Sequence, residues 1–149
     1  MVAIFVRQYH RIVRQIALMM AEKKKQIVLG VDDDSRVREA IESLLDMAGY
    51  EALVFSSADE LLRSRALATA DCVITDVRMP GMDGIELQRR IKIDYPKLPV
   101  IFISAHFDDE IRRRALDGGA VNFMYKPFDG DALLRAIDRA VNNSSNDPV

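Results

Sequence analysis

From Gln26 onward, short apolar runs alternate with segments whose apolar residues recur at helical spacing. Parallel strands cannot be joined by a tight turn and need a crossover, usually a helix, so this alternation predicts an α/β domain on a parallel sheet. "QIVLGV" (Gln26 to Val31) reads as a buried first strand. The segment after it carries Val37, Ile41, Leu44, Leu45 and Ala48 on one helical face, with Ser35 as N-cap and Gly49 as stop. "EALVF" is a second strand with a short helix from Ala58 to Ser64, and "CVITD" is a third strand ending at Asp76. A helix from Ile85 to Asp94 leads to the fourth strand, "LPVIFISA", and the helix after it has Ala115 and Leu116 on its apolar face. "VNFMYKPF" is the fifth strand, and a last helix from Ala132 to Val141 turns Leu133, Leu134, Ile137 and Val141 inward. The expected fold is a doubly wound, five-stranded parallel sheet flanked by helices.

A chain of 149 residues, 49% of them hydrophobic, can bury one ordinary core. Lys+Arg of 21 against Asp+Glu of 23 leaves a net charge of -2, without the basic excess of a dedicated nucleic-acid binder. The balance is uneven, because Met1 to Lys25 holds Arg7, Arg11, Arg14, Lys23, Lys24 and Lys25 but, of the acids, only Glu22. Within that leader Phe5, Tyr9, Ile12, Ile16 and Met19 form an apolar stripe while the arginines cluster on another face, which predicts an amphipathic helix. Three uses fit it: pairing with a second copy as a homodimer, lying on an acidic membrane surface, or packing on its own domain. A start at Met19 or Met20 is the bland alternative. The expected organisation is thus a basic amphipathic extension at 1–25, one α/β domain at 26–141 and a polar, frayed tail at 142–149. No run approaches the roughly 20 apolar residues of a membrane span, and the single Cys72 suits a reducing compartment, so the expected location is cytoplasmic.

In an open parallel sheet, ligands bind beyond the carboxyl ends of the strands, near the switch in strand order. The residues at or beyond those ends are Asp32, Asp33 and Asp34 after the first strand, Asp76 after the third, Ser104 after the fourth and Lys126 after the fifth. Adjacent carboxylates repel by about 4 kcal/mol at 4 Å and an effective dielectric near 20, so a cation, a lysine or solvent must answer their charge. Clustered aspartate oxygens suit Mg²⁺, which also coordinates phosphate, and an aspartate can itself act as nucleophile toward a phosphoryl group.

"VDDD", "DVRMPGMDG", "LPVIFISA" and "KPF", in this order and spacing, resemble the receiver (CheY-like) domain of two-component response regulators over about Gln26 to Val141. The wording "DVRMPGMDG" is similar to receivers of the NarL/FixJ type. The resemblance implies Asp76 as phosphoacceptor, with Asp32, Asp33, Asp76 and the backbone carbonyl of Arg78 around Mg²⁺. It also implies Lys126 and Ser104 on the phosphoryl oxygens, a cis Lys126-Pro127 bond, and Phe123 as an aromatic that rotates when Ser104 moves. Asp34 has no metal role in that pattern and is expected to be solvated or to cap the first helix of the domain. The implied protein is a stand-alone receiver that takes its phosphoryl group from a sensor histidine kinase or histidine phosphotransfer protein. It would signal to an unknown downstream protein, bind no specific DNA by itself and act as a phosphoacceptor rather than an enzyme.

Two other readings compete. Asp32-Asp33-Asp34 also resembles the Asp-x-Asp of small haloacid-dehalogenase-like phosphatases, with Asp32 as nucleophile, although Arg36 stands where that family has a hydroxyl or valine. The third reading is an interaction module that uses the receiver scaffold without phosphorylation. Gly30 departs from the bulky apolar residue usual inside the first strand, and Met79, Met82 and Met124 read as packing.

Overall fold

The computed structural model describes residues 2–22 and 24–145. A leading helix α1 (Val2–Glu22) precedes β1 (Ile27–Val31), α2 (Ser35–Met47), β2 (Glu51–Phe55), α3 (Ala58–Arg63) and a 3₁₀ turn at Ala66–Thr69. Then follow β3 (Cys72–Asp76), α4 (Gly84–Asp94), β4 (Val100–Ser104), α5 (Asp109–Asp117), β5 (Asn122–Tyr125) and α6 (Gly130–Ser145). The five strands form one parallel sheet in the order β2-β1-β3-β4-β5. The order reverses between β1 and β3, so the crevice for a ligand opens there.

Alternation along each central strand sends neighbouring side chains to opposite faces, and both faces are covered. Val28, Cys72, Ile74, Ile101 and Ile103 pack against Ile41 and Leu45 of α2 and Leu133 and Ile137 of α6. On the other face Leu29, Val31, Val73 and Phe102 meet Leu61 of α3, Leu87 and Ile91 of α4 and Ala115 of α5. Gly30 has a packing reason: a Cβ there would lie 3.2 Å from Ile41 Cγ2 and 3.3 Å from Val54 Cγ1, so its absence lets α2 settle close to the sheet. Met79 is buried, and Met82 and Met124 pack against the two cores.

Local expectations differ from the structure in three places. Asp34, not Ser35, is the N-cap of α2, its side chain accepting from Arg36 N; Ser35 is already helical. Ala48 and Leu116 face solvent, and Ile111 accompanies Ala115 on the packed face of α5. Helix α6 runs on to Ser145 instead of ending at Val141, since the exposed Asn142 and Asn143 let the backbone continue past the last apolar residue; positions 146–149 of the expected frayed tail lie outside the described residues. The leading helix is present, and its apolar stripe is exposed rather than packed on its own domain, Phe5 at 76% and Ile16 at 51%. Among the described residues no helix is long and apolar enough to cross a membrane.

Candidate phosphoryl-transfer site

The site lies at the carboxyl rim of four adjacent strands. Val31 pairs with Thr75 and Asp76 with Ile103, so Asp32 and Asp76 emerge side by side at the switch in strand order. Ser104 pairs with Tyr125, and Lys126 N donates to Ser104 O at 2.7 Å, which extends the β4–β5 ladder one step past the strand end. Four side chains distant in sequence are thereby set by strand register, the most rigid positioning a fold offers.

Asp32 is fully buried. Its backbone N–H donates to Phe55 O, its carbonyl accepts from Arg38 Nη1 at 2.8 Å, and its Oδ1 accepts from Asp34 N at 2.9 Å. Its Oδ2 has no hydrogen bond of proper geometry among the described residues, although Lys126 Nζ stands 2.7 Å away. Asp76 is 7% exposed; Oδ1 accepts from Val77 N at 2.8 Å and Oδ2 from Lys126 Nζ at 3.2 Å. Lys126 therefore sits between the two buried carboxylates, reached through a cis Lys126-Pro127 bond.

Burial, and then the charge of Asp32, push the Asp76 carboxyl above the usual carboxylate range; Lys126 and the Val77 N–H only partly offset this. Burial alone would lower the Lys126 ammonium, but the close contact and charge of Asp32 and the charge of Asp76 outweigh it and raise it. One ammonium thus answers two carboxylates, and the pocket retains excess negative charge. One carboxylate oxygen each from Asp32, Asp33 and Asp76 lies within 4.8 Å of the others, with Asp33 at the solvent edge. Three hard oxygen donors, in a pocket where the buried Asp32 Oδ2 lacks a well-formed hydrogen bond, fit a small divalent cation that keeps part of its water shell.

Other residues singled out in the sequence take their places around this pair. The Ser104 hydroxyl is buried and faces the loop, donating to His106 O at 3.2 Å and accepting from His106 N at 3.1 Å. Arg78, two residues after Asp76, is exposed and directs its guanidinium toward Asp108 Oδ2 at 3.7 Å; Asp108 is also the N-cap of α5. Phe123 is a core residue, stacked on Phe102 at 5.9 Å and meeting Tyr125 edge-on at 5.5 Å. Asp34 caps α2 and pairs with Arg36, outside the acidic trio.

Gly84 was not singled out among the site residues. It opens α4, its N–H donates to Val77 O at 2.7 Å, and a Cβ on it would run into the backbone carbonyl of Asp76. The glycine closing "DVRMPGMDG" was the available signal: only a residue without a side chain lets the helix start against the end of β3.

The sequence profile of the response regulator receiver domain matches residues 28–138. This chain belongs to the response regulator receiver domain family. Among curated proteins the receiver is 41% identical over 113 residues to the DNA-binding transcriptional regulator NtrC of Klebsiella pneumoniae, covering 76% of this chain and 24% of that protein. It is 38% identical over 111 residues to the transcriptional regulatory protein FixJ of Bradyrhizobium diazoefficiens, covering 74% of this chain and 54% of that one. The chain thus spans about a quarter to a half of the length of these relatives. Both kinds of regulator match at similar identity, so the shared feature is the receiver domain and not the NarL/FixJ subdivision. A receiver domain protein from Clostridium thermocellum superimposes with a TM-score of 0.77 at 34% identity, over 80% of this chain and 97% of that one. Receivers of this family take a phosphoryl group on an aspartate, bind Mg²⁺ at an acidic pocket and work with histidine kinases and downstream effectors in two-component signalling.

Proposed function

We propose that Asp76 is the phosphoacceptor of a receiver unit spanning residues 26–141, taking its phosphoryl group from a phosphohistidine on a sensor kinase or histidine phosphotransfer protein. The observation that carries this reading is the placement of Lys126 Nζ 2.7 Å from Asp32 and 3.2 Å from Asp76, beside three converging carboxylates. In the transfer an Asp76 oxygen attacks phosphorus, the P–N bond breaks, and the imidazole leaves with the electron pair. The Val77 N–H fixes the rotation of the Asp76 carboxylate, and the partial burial of the site keeps competing water away.

Asp32, Asp33, Asp76 and the backbone carbonyl of Arg78 would hold Mg²⁺, which when bound neutralises charge on the phosphoryl oxygens. Lys126 then exchanges its contact with Asp76 for a phosphoryl oxygen. The Ser104 hydroxyl turns from the His106 backbone to another, and Phe123 moves into the space Ser104 leaves. The added negative charge biases this pair of arrangements and changes the surface offered to a downstream protein.

The test is intact and peptide mass spectrometry after treatment with acetyl phosphate and Mg²⁺, with an EDTA control and the Asp76→Asn variant. A Mg²⁺-dependent adduct on Asp76, absent from the variant, is the expected result. An adduct on Asp32 would instead assign phosphatase-type chemistry, and no adduct would favour a scaffold that works without phosphorylation.

A further inference from the structure

We infer that α1 is a self-association helix whose apolar seam pairs with the same seam on a second copy of this chain. The helix lies ahead of residues 28–138, the part that matches the receiver family, so the site described above does not call for it. Val2, Phe5, Tyr9, Ile12, Ile16 and Met19 follow one another at alternating steps of three and four, a mean period of 3.5 sustained through α1. That period keeps a narrow stripe facing a partner helix, whereas a helix lying on a flat surface needs only a broad apolar side.

These six side chains are between 50% and 78% exposed, and Val6, Val13 and Met20 widen the seam along one flank. Of the large apolar residues exposed on α1, only Ile4 and Leu18 fall outside it. Arg7, Arg11 and Arg14 lie opposite the seam, so two copies pair without bringing like charges together. The other flank carries the neutral Gln8 and Gln15. Pairing the seams would bury about 1,000–1,500 Å² in total, above the ~1,000 Å² that a specific interface needs.

The test is sedimentation of the full chain across the micromolar range. A dimer is expected, with Ile12→Asp and Ile16→Asp each raising the dissociation constant at least about tenfold while Arg11→Asp, on the outer face, leaves it unchanged. Because the charged variants also weaken the helix, oxidative cross-linking supplies a second measurement: Ile12→Cys forms a disulfide-linked dimer and Arg11→Cys does not. The native Cys72 is fully buried and stays silent. A monomeric wild-type chain, a dimer indifferent to Ile12→Asp, equal cross-linking from both cysteine variants, or a monomer that floats with phosphatidylglycerol vesicles would each overturn the inference.

Discussion

Fifty residues separate Asp76 from Lys126 in the chain, yet Nζ lies 3.2 Å from Oδ2. The same ammonium stands 2.7 Å from the fully buried Asp32, so its removal would leave two carboxylates facing each other.

Lys126→Met should therefore destabilise the metal-free protein by about 1–3 kcal/mol, below the full cost of breaking a buried pair because the lysine is partly exposed. Mg²⁺ should restore more stability to this variant than to the wild type, since ion and ammonium answer the same charge. Urea denaturation with EDTA and with Mg²⁺ measures both effects; equal Mg²⁺ responses would contradict the shared-charge account.

The sign of the pH response follows from Asp76. Its folded pKa is raised above the ordinary 3.8, so between those two values the native state holds more protons than the unfolded chain, and stability falls as pH rises through that window. Asp76→Asn should be more stable than the wild type at neutral pH in EDTA, with an advantage that shrinks as pH falls through the window. Lys126, raised above 10.5, keeps its contribution at neutral pH and loses it only as pH rises past its raised value, outside this range. Urea midpoints for the two proteins across the acid range test the prediction.

Gly84→Ala places a methyl group against the Asp76 carbonyl, which cannot yield without shifting β3, and 3.1 Å from Phe102 Cε1 on β4. The expected cost is about 2–4 kcal/mol, together with slower phosphorylation of whatever fraction folds, because Asp76, the proposed acceptor, is displaced. Equilibrium unfolding and the rate of adduct formation check the two parts separately.

Cys72 should be inert in the native protein. It is fully buried, and burial pushes its thiol up to about 12, so native alkylation at mildly alkaline pH should run at least about a hundredfold slower than in urea. Rapid native labelling, followed by iodoacetamide mass shift, would mean that the sheet opens beneath α2 and α6.

Strand ends were the most legible part of this chain. Asp32, Asp76, Ser104 and Lys126 each follow an apolar run, and the parallel-sheet rule alone gathers such positions on one rim. Asp34 and Ser35 are adjacent and both good caps, so spacing could not choose between them; the bond from Arg36 N to Asp34 Oδ1 decides it. The Ser104 hydroxyl's engagement with His106 and the stacking of Phe107 on Tyr125 at 4.3 Å depend on a loop conformation that no periodicity encodes. Gly84 escaped for a related reason, since the obstacle it avoids is backbone supplied by another element.

The rim of the sheet also makes the site a report on the whole domain. Asp32, Asp76 and Lys126 follow three different strands, and the lysine arrives only when β5, an outer strand, has docked on β4. A nascent or damaged chain without that last strand holds paired acids and no ammonium. Under the proposed transfer to Asp76, completion of the fold would license the message, and a kinase would spend no signal on unfinished copies.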